Sequence, residues 1–235
     1  MNDPALGPRL IVALDFSEPA PIPGLLAQLD PRYCALKVGF ELFVTQGPSL
    51  VAELMDQGFK VFLDLKFHDI PNTVVQACRA AARMGVWMLN VHASGGVVMM
   101  QAAVDAVRDV HPETRVLAVT VLTSSTVDTL AEIGVSVPPE SQVLRLAELA
   151  LEQAGLDGVV CSAQEAALLR ARFGAKPWLV TPGIRWAEAD RQDQQRITTP
   201  AQAIQMGASH LVMGRPITRA ADPAAMVARA LADVR

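Results

Sequence analysis

The chain has 235 residues, 51% of them apolar and 19% charged, and its 20 basic and 24 acidic side chains leave a net charge of −4. That is enough chain for a substantial core in one barrel-sized domain, and its mild acidity argues against a phosphate-backbone binder. No apolar run reaches the roughly 18 residues of a membrane span, and the start MNDPALGPRL lacks the basic-then-apolar pattern of a secretory signal. The widely spaced Cys34, Cys78 and Cys161 fit neither a disulfide framework nor a zinc site and read as small core residues. Together these features predict a reduced, cytoplasmic protein with no nucleic-acid or membrane partner.

Short β-rich runs alternate with longer helical patterns throughout. The first strand is expected over Leu10–Asp15, then a helix near Gly24–Leu29. A second strand over Ala35–Val38 precedes a helix from Glu41 to Gln57, stopped by Gly58. The third strand, in VFLDLKFHDIPNT (Val61–Thr73), leads to a helix over Pro71–Met84 with Pro first and Gly85 after its end. The fourth, Trp87–His92, is followed by the helix Val97–Val110. The fifth, Arg115–Leu122, is followed by a short helix ended by Gly134 and a longer one over Glu140–Ala154. The sixth, Gly158–Cys161, meets a capping box at Ser162 and Glu165. The seventh, Trp178–Thr181, runs into a polar segment reaching Arg196. Thr199 and Gln202 open another helix, the eighth strand is His210–Met213, and Asp222-Pro223 caps the last helix.

Eight βα units without a linker or composition break predict a single (β/α)₈ barrel over residues 1–235. An open doubly wound sheet is the rival, though it usually has fewer strands. In a barrel, catalytic groups sit at the C-terminal strand ends, and Asp15, Lys37, Asp64, Lys66, Asn90, His92, Thr123, Ser124, Thr181, Arg185 and Arg215 fall there.

In the third strand, Val61, Leu63, Leu65 and Phe67 share one face, while Phe62, Asp64 and Lys66 share the other. Asp69 lies beyond, in the loop before Pro71. A buried strand seldom carries charges on one face unless they are paired or reactive. Lys37, Asp64, Lys66 and Asp69 can form an alternating array, which as a structural network would only neutralise itself. Its lysines supply the positive charge that a magnesium ion would otherwise bring. VTPGIR (Val180–Arg185) and VMGRPI (Val212–Ile217) place Gly183, Arg185, Gly214 and Arg215 in the loops that usually bind phosphate in this architecture. The alternative is that these are turn glycines and surface arginines. The polar segment Trp186–Arg196 is long for a βα loop and suits a lid. A lysine among carboxylates can protonate a carbanion, and a neighbouring carboxylate facing a substrate carboxylate favours its loss. Those are the parts of a decarboxylase that needs no cofactor.

DLKFHDIPNT (Asp64–Thr73) resembles the signature of the orotidine 5′-monophosphate decarboxylase family. The likeness extends in order through LIVALD, ALKVG, NVHASGG, VTVLTS, DGVVCSAQE, VTPGIR and MGRPIT. The resemblance implies conversion of OMP to UMP and CO₂, with no cofactor and no metal. It implies that Lys66 protonates C6 and Asp64 faces the substrate carboxylate. Lys37 would bridge the array to the ribose and Asp15 would hold its hydroxyl. Asp69 and Thr73 would reach into the neighbouring subunit's site, which implies a homodimer. Thr123, with its neighbour Ser124, would meet the pyrimidine edge. Gln194, with Gln192 and Gln195 as alternatives, would link phosphate and base from the lid, while Arg185, Gly214 and Arg215 would hold the phosphate. Sugar-phosphate enzymes on the same barrel share the D-x-K-x-x-D core but use magnesium, and HDIPNT with the lysine of ALKVG favours the nucleotide enzyme. A catalytically silent phosphate-ligand binder is the other class. His68 and His92 read as hydrogen-bonded structural residues, and Trp87, Met99 and Met100 as packing.

Overall fold

A computed structural model of the chain describes residues 7–186 and 198–234. Its strands are β1 (Leu10–Ala13), β2 (Cys34–Gly39), β3 (Val61–Phe67), β4 (Met88–His92), β5 (Arg115–Val119), β6 (Gly158–Val160), β7 (Trp178–Thr181) and β8 (His210–Met213). All pair in parallel with their chain neighbours, and β8 pairs with β1 to close the barrel. The expected (β/α)₈ architecture is therefore the observed one, and the open sheet is not.

The helices are α1 (Ile22–Leu26), α2 (Phe40–Asp56), α3 (Pro71–Arg83), α4 (Gly96–Arg108), α5 (Val127–Glu132), α6 (Pro139–Glu148), α7 (Ala163–Phe173), α8 (Pro200–Gln205), α9 (Arg215–Thr218) and α10 (Pro223–Asp233). Both expected capping boxes form, Ser162 with Glu165 on α7 and Thr199 with Gln202 on α8, satisfying amides that a helix start leaves unpaired. Three features depart from the expected elements. Gly47, at φ +65°, and Pro48 kink α2, because proline lacks the N–H and crowds the preceding turn. The helix expected to Ala154 becomes a π-helical turn over Leu149–Gln153. α9 is an additional helix whose four residues, RPIT, are too few to show periodicity.

Parallel strands covered by helices are buried on both faces, and two apolar layers result. Val61, Leu63 and Leu65 face outward into the helix layer, while Phe62 packs inside the barrel with Ile11, Ala35, Met88, Leu117 and Val180. The alternation expected of β3 therefore holds. The Trp87, Trp178 and His210 rings fill the N-terminal end, their centroids 4.6–5.8 Å apart, with Lys60 and Arg115 over the two indoles. Met99 and Met100 are core residues, as are the three free cysteines. Burial pushes the Cys34 and Cys78 thiols up to about 12. The ring cluster fills the barrel interior at the N-terminal end, and a cavity opens at the C-terminal end.

Close approach of β6 to β7 gives one test of this packing. A Cβ on Gly158 would stand 2.2 Å from the Trp178 carbonyl oxygen, which is backbone and cannot swing aside. Gly158→Ala should lower stability by about 1–3 kcal/mol, or roughly 2–4 °C per kcal/mol in thermal midpoint. An unchanged midpoint would contradict the contact.

Candidate active site

The C-terminal ends of the strands surround a cavity of about 520 Å³. Its walls carry Asp15, Lys37, Asp64 and Lys66 on one side, Thr123 and Ser124 beyond β5, and Gly183, Arg185, Gly214 and Arg215 beyond β7 and β8. Apolar side chains from the barrel layer, among them Phe62, Val160 and Val212, line its floor.

The charged side is built from three adjacent strands. The Leu14 amide donates to the Lys37 carbonyl at 3.0 Å, which carries Asp15, two residues past β1, to the rim. Asp64 receives Lys66 Nζ on Oδ1 at 2.7 Å and Lys37 Nζ on Oδ2 at 3.2 Å. Lys37 also reaches Asp15 Oδ1 at 3.0 Å. A Cβ on Gly39 would stand 3.2 Å from Lys37 Nζ, so the glycine of ALKVG leaves room for that ammonium. Burial pushes the Asp64 carboxyl up, but Lys37, Lys66 and the hydrogen bonds from Lys66 and Asn90 outweigh it, so its pKa lies below the usual carboxylate value. Burial likewise lowers Lys37, and Asp64 and Asp15 more than reverse it, so Lys37 stays a cation. The cluster is charged yet internally neutralised, a preorganised field at the mouth of the barrel.

Lys66 is held in an unusual backbone. Its φ is +44°, the one positive value at a non-glycine among the described residues, a conformation that costs about 1–2 kcal/mol. The β3–β4 register shifts between the pairs Leu63↔Leu89 and Phe67↔Val91, so β3 is bulged at Asp64–Lys66. Asn90, fully buried on β4, accepts from the Lys66 amide and donates to Asp64 Oδ1, each at 2.7 Å. The bulge aims Lys66 into the mouth, where its ammonium also lies 5.1 Å from the Phe40 ring centroid.

Across the cavity, Arg185 is buried and its amide donates to the Thr198 carbonyl at 3.1 Å. Gly183 takes φ +79°, where only glycine is comfortable, whereas Gly214, at φ −105°, is not held to glycine by its φ. Trp186, expected to begin a polar segment, is buried and donates to Asp233 Oδ2 on α10 at 2.7 Å.

The structure thus gathers Asp15, Lys37, Asp64, Lys66, Thr123, Arg185, Gly214 and Arg215 around one cavity. It does not bring Asp69 or Thr73 there. Asp69 is exposed and its Oδ1 accepts from the following amide of Ile70 at 2.6 Å. The array within one chain therefore runs Asp15–Lys37–Asp64–Lys66, not on to Asp69, because the loop turns away after Phe67. Gln194 and its alternatives Gln192 and Gln195 lie outside the described residues, as does nearly all of the expected lid. His68 and His92 meet ring to ring with centroids 5.6 Å apart, and burial, His68 and Lys66 lower the His92 pKa. Ser17, Glu41 and Arg219 also line the cavity and were not singled out from the sequence. For Asn90, the signal in the sequence is its strand parity with the interior Met88.

The depressed Asp64 carboxyl contributes stability that is present above its ordinary unfolded value and lost as pH falls through the lower folded one. Raised Lys37 contributes stability that is lost only in strong alkali. Asp64→Asn removes the counter-charge that Lys66 and Lys37 share, leaving Lys37 its bond to Asp15, and should cost about 3–5 kcal/mol at neutral pH. Urea titrations should show that gap narrowing below pH ~4, where the unfolded chain's carboxyl takes up a proton while the folded one stays ionised. A gap constant down to pH ~3 would contradict the depressed carboxyl.

Residues 8–230 match the family model described as Orotidine 5′-phosphate decarboxylase / HUMPS family. The orotidine 5′-phosphate decarboxylase of Halorhodospira halophila is 60% identical over 227 residues, 97% of this chain and 96% of its own. That of Hydrogenovibrio crunogenus is 56% identical over 220 residues, 94% of this chain and 93% of its own. The crystal structure of orotidine 5′-phosphate decarboxylase from Lactobacillus acidophilus matches with a TM-score of 0.87 at 40% identity, covering 97% of this chain and 99% of that one. With the closed barrel and its charged mouth, these likenesses agree that the chain belongs to the orotidine 5′-phosphate decarboxylase / HUMPS family.

Proposed function

We propose that the chain removes CO₂ from orotidine 5′-monophosphate (OMP) to give UMP, the last step of UMP biosynthesis, with Lys66 as proton donor and without cofactor or metal. The observation that carries the chemistry is the Lys37–Asp64–Lys66 array, set across one cavity from Arg185 and Arg215. The family model spans sugar-phosphate enzymes as well, but relatives at 55–60% identity are named orotidine 5′-phosphate decarboxylase. Lysine ammoniums on both Asp64 oxygens occupy the lone pairs a magnesium ion would use, which also favours the nucleotide reaction.

Arg185 and Arg215, with the Gly214 backbone, bind the phosphate; Asp15 and Lys37 hold the ribose; Thr123 and Ser124 meet the pyrimidine edge. Asp64 then faces the substrate carboxylate, a like charge that is relieved when CO₂ leaves. The electron pair of the broken bond stays at C6, beside the Lys66 ammonium. Lys66 passes one proton to C6, giving UMP and a neutral amine that solvent reprotonates. Phosphate and ribose contacts remote from C6 supply the binding energy that holds the carboxylate there.

Asp69 and Thr73, exposed on the loop and first turn after β3, complete the site of a second copy. Phe40, Ile70 and Val98, 53%, 68% and 73% exposed just past β2, β3 and β4, give that dimer an apolar contact. Among the described residues no helix is long and apolar enough to cross a membrane. Three free, buried cysteines suit the reducing cytoplasm in which we place the reaction.

Lys66→Ala should abolish the loss of OMP absorbance while the protein still binds UMP. Mixing it with Asp69→Ala protein restores one complete site in each mixed dimer, about a quarter of the native rate per protomer after random 1:1 reassortment. Substantial turnover by Lys66→Ala alone would remove it as the donor. No recovery in mixed dimers confirmed to form would remove the shared site.

A further inference from the structure

Asn90 stands where β3 and β4 fall out of step. Between the pairs Leu63↔Leu89 and Phe67↔Val91, β3 spends Asp64, Leu65 and Lys66 while β4 has only Asn90. A regular ladder cannot serve that mismatch, and the Asn90 side chain takes its place. Its Oδ1 accepts from the Lys66 amide and its Nδ2 donates to Asp64 Oδ1, both at 2.7 Å. The amide is oriented by its partners, since a flipped group would set carbonyl against carboxylate and NH₂ against N–H.

We propose that Asn90 is the positioning residue of this site, fixing the left-handed turn at Lys66 and the rotation of the Asp64 carboxylate together. The proposal rests on the decarboxylase function above. Asn90 is fully buried and does not line the cavity, so it acts through Asp64 and Lys66 rather than on the substrate. Lys66 Nζ shares Asp64 Oδ1 with the Asn90 amide, leaving Oδ2 to Lys37. One planar group therefore decides which oxygen faces which ammonium. A neutral amide does this without adding charge. Aspartate would set a second anion against Asp64, and leucine would leave both the Lys66 amide and one carboxylate contact unserved. The titratable groups facing the position are Asp64 and Lys66 on β3, Lys37 on β2 and His92 on β4.

Two variants test it, each assayed for OMP turnover and UMP binding beside the native protein. Asn90→Ala should lower kcat by about 100-fold while UMP affinity stays within about threefold, the signature of misplaced reacting groups in an intact pocket. In Asn90→Asp, the introduced carboxyl is titrated upward by Asp64. Once protonated, it offers the same donor to Asp64 and the same acceptor to the Lys66 amide. Its kcat should therefore recover as pH falls, relative to the native profile, by about tenfold per unit while the pH is above the new pKa, levelling off once it is below. Native-like kcat in Asn90→Ala, a loss confined to KM, or an Asn90→Asp profile parallel to the native one would overturn the proposal. If Asn90→Ala fails to fold, the Asn90→Asp profile decides. A native protein that leaves OMP absorbance unchanged overturns the decarboxylase function instead, and the role of Asn90 with it.

Discussion

A single carboxylate held between two ammonium groups organises the open end of this barrel. Asp64 is buried at the barrel mouth, where a lone anion would be strongly unfavourable. Lys37 and Lys66 on its two oxygens remove that penalty and keep it charged. The pair of lysines is equally dependent on Asp64, since neither would tolerate that depth beside the other alone. Such a cluster contributes little net stability compared with apolar packing of the same volume. Its value lies in charge fixed in place before substrate arrives.

The barrel provides the geometry that this cluster needs. Successive parallel strands bring Asp15, Lys37 and Asp64 side by side although they lie far apart in the chain. The bulge in β3 then turns Lys66 inward at a backbone angle that lysine does not choose unaided. Arg185 and Arg215 line the other side of the cavity, so in the proposed function an anionic substrate would be gripped at one end and confronted by an anion at the other. In the proposed function, binding at the arginine end would be used against repulsion at the Asp64 end.

Much of this was legible in the residues. Capping boxes, glycine stops and Pro71 marked the helices because those residues act locally, so eight βα units could be counted without tertiary information. The same strand parity that put Asp64 and Lys66 on one face holds in the structure. The kink at Gly47–Pro48 was spelled out in TQGPS but lost within a long apolar periodicity. The bulge was hidden because VFLDLKF alternates as a regular strand would, and its cause lies in the register against β4. Asp69 looked like the next member of an alternating series, yet the turn at His68–Ile70 takes it out to solvent. Asn90 went without a role because its partners are 24 and 26 residues away, a relation no local pattern carries.

In the proposed reaction, lysine ammoniums rather than a metal ion supply the positive charge for losing CO₂. The most direct measurement is the rate of OMP absorbance loss by protein exhaustively treated with EDTA, compared with the same protein after magnesium is added. The expected result is an undiminished rate in EDTA and no gain with magnesium. Activity that vanishes with the chelator and returns with magnesium would contradict it.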